Sequence, residues 1–218
     1  GDENLNAEFK INASDLIVLP GGIDPHVHVD QPSGDDVIMA DNFQSATKSA
    51  AAGGNTTILP FAMQIKGQSL RKCVEDYHKK AQGNMYIDTS FHLIISDPTP
   101  QVLGQELPAL SKDGYTSFKV FMTYDDLVLN DKELIEVFDV AKQLKTLVMV
   151  HAEGYDSIKY LSDKFEKEGK TAPYYHAPTR PQIVEREATH RAISHAQIVD
   201  IPLMIVHVSG EEALNQIR

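Results

Sequence analysis

The chain has one cysteine, Cys73, in 218 residues. No intrachain disulfide can form, and a reducing, cytoplasmic setting is expected. Cys73 lies on a predicted helix with no base nearby in sequence, which argues against a thiol nucleophile. There is no basic run either. The formal net charge is −11, with acidic residues spread along the chain, so nucleic acid and anionic membrane surfaces are excluded as expected partners. No apolar run approaches the roughly 20 residues needed to cross a bilayer. The start, GDENLNAEFK, is polar and lacks the apolar core of a signal peptide. Internal repeats and low-complexity tracts are missing. No G-x-G-x-x-G follows the first predicted strand, which weakens a dinucleotide-binding reading.

What is present suits one large domain: 42% hydrophobic and 23% charged residues provide for a sizeable core. Short apolar runs at Leu16–Leu19, Thr56–Phe61, Phe91–Ile95, Phe118–Met122, Leu147–Val150 and Leu203–Val206 read as parallel strands buried on both faces. Helix-length segments lie between them, at about 40–53, 68–82, 101–113, 131–145, 155–169 and 181–199. Leu134, Val137, Phe138 and Ala141 recur at helical spacing after Asp131, and Gly53-Gly54 and Gly83 read as helix stops. Strict alternation of strand and helix predicts an α/β fold with a parallel sheet. A doubly wound sheet and a (β/α) barrel both fit that alternation. A complete eight-unit barrel takes about 250 residues, so six units predict an incomplete TIM-type barrel over residues 19–218, preceded by an N-terminal remnant at 1–18. The Pro-rich loop 170–181 is long enough to cover a site.

Four histidines stand at the ends of these strands. His26 and His28 are two residues apart, which on an extended chain puts both side chains on one face. His151 and His207 each follow an apolar run directly, at the strand ends where (β/α) barrels collect functional residues. Neutral imidazoles are good ligands for zinc and similar ions. A lone histidine at any of these positions is more readily structural; four at three equivalent strand ends point to a metal site. Lys119 sits inside a strand that should be buried, where an unpaired ammonium is costly. Converted by CO₂ to a carbamate, its side chain would behave as a carboxylate and bridge two ions. Tyr124, five residues on, falls in the loop beyond that strand and could donate to a developing oxyanion. His78, His190 and His195 read as helix-surface residues, His92 as a hydrogen-bonded interior one, and His176 as a loop group.

The segments PGGIDPHVH, SFKVFMTY, VHAE and VHVS, in this order and at these intervals, together with YYHAPTRPQIVEREATHRAI, resemble the dihydropyrimidinase/hydantoinase branch of the amidohydrolase superfamily. The resemblance runs from about residue 11 onward. It implies two zinc ions, one held by His26 and His28 and the other by His151 and His207, bridged by carboxylated Lys119 and a hydroxide. Tyr124 corresponds to the tyrosine that hydrogen-bonds the substrate carbonyl. A last ligand, an aspartate that also shuttles a proton, is expected beyond Arg218, as is most of the accessory β-sandwich.

The implied reaction is hydrolysis of a cyclic amide: 5,6-dihydrouracil to N-carbamoyl-β-alanine, or a hydantoin, in pyrimidine degradation. The implied full-length protein is a cytoplasmic homo-oligomer, tetramer or dimer, and the 218-residue chain alone is expected to be weakly active or inactive. Allantoinase and dihydroorotase are the nearest rivals. Dihydroorotases carry Arg two residues after the second histidine, where this chain has Asp30. Non-enzymatic collapsin-response-mediator proteins share the fold but have lost ligands that this chain keeps. Gly154 after His-Ala-Glu and Gly210 after Ser209 depart from the family pattern and leave the preferred ring open.

Overall fold

The computed structural model describes residues 6–33 and 37–218. Its strands are β1 (Gly22–Val27), β2 (Asn55–Met63), β3 (Asp88–Thr89), β4 (His92–Ile94), β5 (Ser117–Phe121), β6 (Leu147–His151) and β7 (Leu203–Ile205). The helices are α1 (Phe43–Ala52), α2 (Leu70–Ala81), α3 (Leu107–Lys112), entered through a π-turn at Val102–Glu106, α4 (Asp131–Leu144), α5 (Tyr155–Lys167), α6 (Gln182–Val199) and α7 (Glu211–Ile217). A 3₁₀ segment, Pro173–Thr179, lies in the Pro-rich loop. All strand pairings are parallel, in the order β1-β2-β4-β5-β6-β7, and β3 joins β2 just ahead of β4. Strand order that follows chain order is the winding of a barrel, and a doubly wound sheet would reverse direction partway.

One strand lies elsewhere than the apolar runs suggest. Leu16–Leu19 form no strand and are 69–87% exposed; β1 is Gly22–Val27 instead. An apolar run becomes a strand only beside a partner ladder. The ladder on β2 is taken by a less apolar segment that can approach it closely. A Cβ at Gly21 would lie 2.1 Å from the Thr56 side chain, and one at Gly22 2.2 Å from Asn55 Oδ1. Pro25 is tolerated because β1 pairs on one side only.

The helices form as the periodicity predicts. Asn130 caps α4, accepting from the Glu133 N–H at 3.0 Å while the Glu133 side chain accepts from the Asn130 N–H at 2.8 Å. Leu134, Val137, Phe138 and Ala141 are all fully buried. Gly53 ends α1, and Gly83 follows α2 with φ of +77°.

The two faces of the sheet carry different clusters. Ile58, Ala62, Leu93, Phe118, Val120, Val148 and Val150 pack with the helices in the main core. Alternate residues, Phe61, Ile94, Phe121, Met149 and Val206, form a smaller cluster on the opposite face. The second face is the concave one. His26 on the first strand and His207 beyond the last have ring centroids 5.4 Å apart, although their strands lie at opposite edges of the sheet.

Candidate metal centre

Strand alternation builds the site. Val27 packs against the main core, so His26 and His28 project to the concave face, their ring centroids 5.6 Å apart. Both lie on Phe61, at 4.9 and 4.8 Å. Lys119 points the same way from the middle of β5, in register with Ile94 and Met149. His151 ends β6 with its ring stacked on Phe121 at 5.3 Å. His207 breaks the alternation. Val206 already faces the concave cluster, so a continued extended chain would send His207 outward. Its φ of +37°, unusual for a non-glycine residue, turns the ring back, to 4.5 Å from His151. The loop beyond is pinned by Glu185, which accepts from the Ser209 and Gly210 N–H groups at 2.8 and 2.7 Å.

Lys119 is fully buried, and its Nζ has no hydrogen-bond partner. Its surroundings are the rings of Phe61 and Phe121, with centroids 5.4 and 5.2 Å away. Burial lowers its pKa to about 7, so near neutrality much of it is a free amine. His26 and His207 are each lowered to about 4, first by burial and then by neighbouring cationic groups, Lys119 among them. Both are therefore neutral, with a lone pair available, above pH 6.

Among the described residues no three His, Cys, Asp or Glu side chains converge on one point. The four histidine rings instead form a row, His28–His26–His207–His151, with successive centroids 5.6, 5.4 and 4.5 Å apart. The partnerless Nζ of Lys119 opens between Phe61 and Phe121 on the same face of the sheet. Neutral imidazoles clustered in this way fit a divalent metal ion.

Three neighbours of these histidines carry no spacing signal in the sequence. Gln31 accepts from His28 Nδ1–H at 2.6 Å. Glu153 accepts from His151 Nε2–H at 2.6 Å, and this bond is the main reason its carboxyl lies below the usual range, with the Arg180 guanidinium also contributing. Arg180 Nε stands 4.0 Å from Glu153 Oε1. His92 is an interior residue, as expected. Its Nε2–H donates to the Pro25 carbonyl at 2.8 Å and its Nδ1 accepts from Ser117 Oγ at 2.5 Å, which fixes the backbone just before His26. His78 and His190 are exposed. His195 departs from its surface reading: its side chain is mostly buried, with Nε2 3.3 Å from Asp131 Oδ1. His176 stays in the loop, its carbonyl accepting from Thr179 Oγ1 at 2.7 Å.

Tyr124 lies beside the histidines, its ring 5.2 Å from that of His151. Its φ is +75°, and its carbonyl accepts from the N–H groups of Leu127 and Val128 in the turn that places it there. Two cavities open on this face, and Tyr124 lines one of them. One, of about 320 Å³, is lined by His151, Glu153, Arg180, Glu185, His207 and Ser209. The other, of about 400 Å³, includes Met63, Tyr124, Leu127, Ile158 and Arg180. Either volume suits a small-molecule ligand. Among the described residues no helix is long and apolar enough to cross a membrane.

Known proteins resemble this chain in sequence and in fold. The amidohydrolase family model matches residues 17–185. A D-hydantoinase from Ralstonia pickettii is 47% identical over 212 residues, which are 97% of this chain and 46% of that protein. A dihydropyrimidinase from Rattus norvegicus is 38% identical over 206 residues, 93% of this chain and 39% of that one. A solved structure of D-hydantoinase matches with a TM-score of 0.88 at 48% identity, over 91% of this chain and 43% of that chain. The chain thus spans less than half the length of the relatives it matches. The curled parallel sheet and the sequence agree, and the chain belongs to the amidohydrolase family.

Proposed function

We propose that the full-length protein hydrolyses the amide bond of cyclic substrates, dihydropyrimidines or hydantoins, at a centre of two zinc ions. His26 and His28 would hold one ion and His151 and His207 the other, with carboxylated Lys119 between them. The observation that carries this reading is the fully buried, partnerless Nζ of Lys119 on the face shared by four histidines. The similarity to D-hydantoinase and dihydropyrimidinase supports the substrate class.

Each residue's part follows from its surroundings. The neutral amine of Lys119 can attack CO₂: an N–C bond forms, a proton leaves, and a carbamate with two donor oxygens replaces the amine. When bound, the two ions would supply a nucleophilic hydroxide near neutral pH and polarise the substrate carbonyl. The hydroxyl of Tyr124 would donate to the carbonyl oxygen as negative charge develops there. Phe61 and Phe121 keep water away from the lysine. The position that would favour a dihydroorotase is Asp30, which pairs with Lys80 at 3.1 Å. The single, buried Cys73 supports a cytoplasmic setting.

The test is to supply purified full-length protein with dihydrouracil, hydantoin, allantoin and dihydroorotate, and to measure bound metal. Ring opening of either of the first two, abolished by chelation, is expected. Turnover of dihydroorotate or allantoin alone would overturn the substrate assignment. Metal-loaded protein inactive on all four would favour the interaction-protein reading.

A further inference from the structure

We infer that Gln31 is a positioning residue that fixes the tautomer of His28 and so presents His28 Nε2 as the metal-binding nitrogen. The inference rests on the metal-binding reading above and goes beyond it to a residue outside the ligand set.

The argument follows the hydrogen-bond polarity from the backbone outward. Gln31 Nε2 lies 2.9 Å from the carbonyl oxygen of Phe61. A carbonyl only accepts, so the NH₂ end of the amide must face it. Oε1 therefore faces His28 Nδ1, 2.6 Å away. An amide oxygen also only accepts, so the proton of His28 sits on Nδ1. In the neutral ring Nε2 is then the nitrogen with the free lone pair. One amide, oriented by one strand carbonyl, decides which atom of His28 can bind a metal.

The turn that presents Gln31 is tightly held. Val29 is fully buried, and its carbonyl accepts from the Tyr77 hydroxyl at 2.5 Å. Asp30 adopts φ of +47°, which folds the chain back toward His28. Its carbonyl accepts from Lys80 Nζ at 2.7 Å, and its N–H donates to the Asp41 carbonyl at 3.1 Å. His28 is itself stacked on Phe61, with an interplanar angle of 18°. Ring and amide are thus both referenced to the same residue of β2. Outer partners of this kind orient metal-bound histidines generally.

The experiment uses the full-length protein with Gln31→Ala and Gln31→Glu. Nitrogen-15 NMR of the histidine side chains in the metal-free protein reads the tautomer, and competition with a chromophoric chelator reads zinc affinity. Wild-type His28 is expected in the Nδ1–H form. Q31A should lose that preference and bind one of the two zinc ions about 10–100-fold more weakly, with the other ion little changed. Q31E keeps an acceptor for Nδ1–H but loses the bond to the Phe61 carbonyl, so it should retain the tautomer with a zinc affinity between those of the wild type and Q31A. If Q31A keeps the Nδ1–H tautomer, or both variants bind both ions as the wild type does, the inference is overturned. Should Q31A fail to fold, Q31E decides alone: the Nε2–H tautomer there overturns it. Wild-type protein that binds no zinc would instead remove the metal reading, while the NMR result on Gln31 would still stand.

Discussion

Replacing Lys119 with methionine should stabilise the metal-free protein. The lysine is fully buried, with Nζ partnerless between two phenylalanine rings. Its pKa falls from 10.5 to about 7. At about 1.4 kcal/mol per pKa unit, placing this lysine in the fold at neutral pH costs roughly 4–5 kcal/mol relative to the unfolded chain. Methionine has similar length and nothing to desolvate, so after allowance for imperfect packing K119M should gain roughly 3 kcal/mol. The sign of the pH dependence is fixed as well. Because the folded pKa is the lower one, the unfolded state binds more protons between about pH 7 and 10.5, and this group's contribution to wild-type stability rises with pH through that window. K119M should lack that rise. Urea unfolding of both full-length proteins, in chelator and CO₂-free buffer at pH 7 and about pH 9, measures both effects. Equal midpoints at pH 7, with equal pH dependence, would show that the amine is not in a dry, partnerless site. The same substitution should abolish the shared donor, and with it zinc retention and turnover.

Tyr124→Phe removes the proposed oxyanion donor, and kcat should fall about 10²-fold or more with KM changed less; an unchanged kcat would remove Tyr124 from the mechanism. Glu153→Ala frees the His151 ring, and zinc affinity at one of the two positions should drop about 10–100-fold in chelator competition; unaltered affinity would make the 2.6 Å contact incidental. Phe138→Ala empties a fully buried position under α4 and should cost about 3–5 kcal/mol by urea unfolding, while a loss below about 1 kcal/mol would mean that the helix packs loosely.

Much of this molecule is legible in its sequence because two periodicities do most of the building. The helical spacing of Leu134, Val137, Phe138 and Ala141 marks a face that is buried throughout. The two-residue spacing of His26 and His28 marks a shared face on a strand. His151 and His207 could be picked out because each stands where an apolar run stops, and Lys119 because it interrupts one. Leu16–Leu19 misled for the same reason that the other runs informed: composition reports the tendency to be covered, and the cover depends on which segment reaches β2. His207 depends on a local turn, φ +37°, that no period encodes. Gln31 and Glu153 act through single hydrogen bonds at i+3 and i+2 from their histidines. Polar residues at those offsets are too common to single out before the ring orientations are known.

The closeness of His26 and His207 has a consequence in time. They lie some 180 residues apart in sequence, yet their rings are 5.4 Å apart. Bringing them together closes a very long loop, a step whose entropy is recovered only when the intervening strands are already in order. During synthesis from the N-terminus, His26 and His28 emerge early and must wait for β7. The meeting of these histidines is therefore a late event in folding. A side chain beyond the last strand meets one on the first only in a chain that has already wound every turn between them.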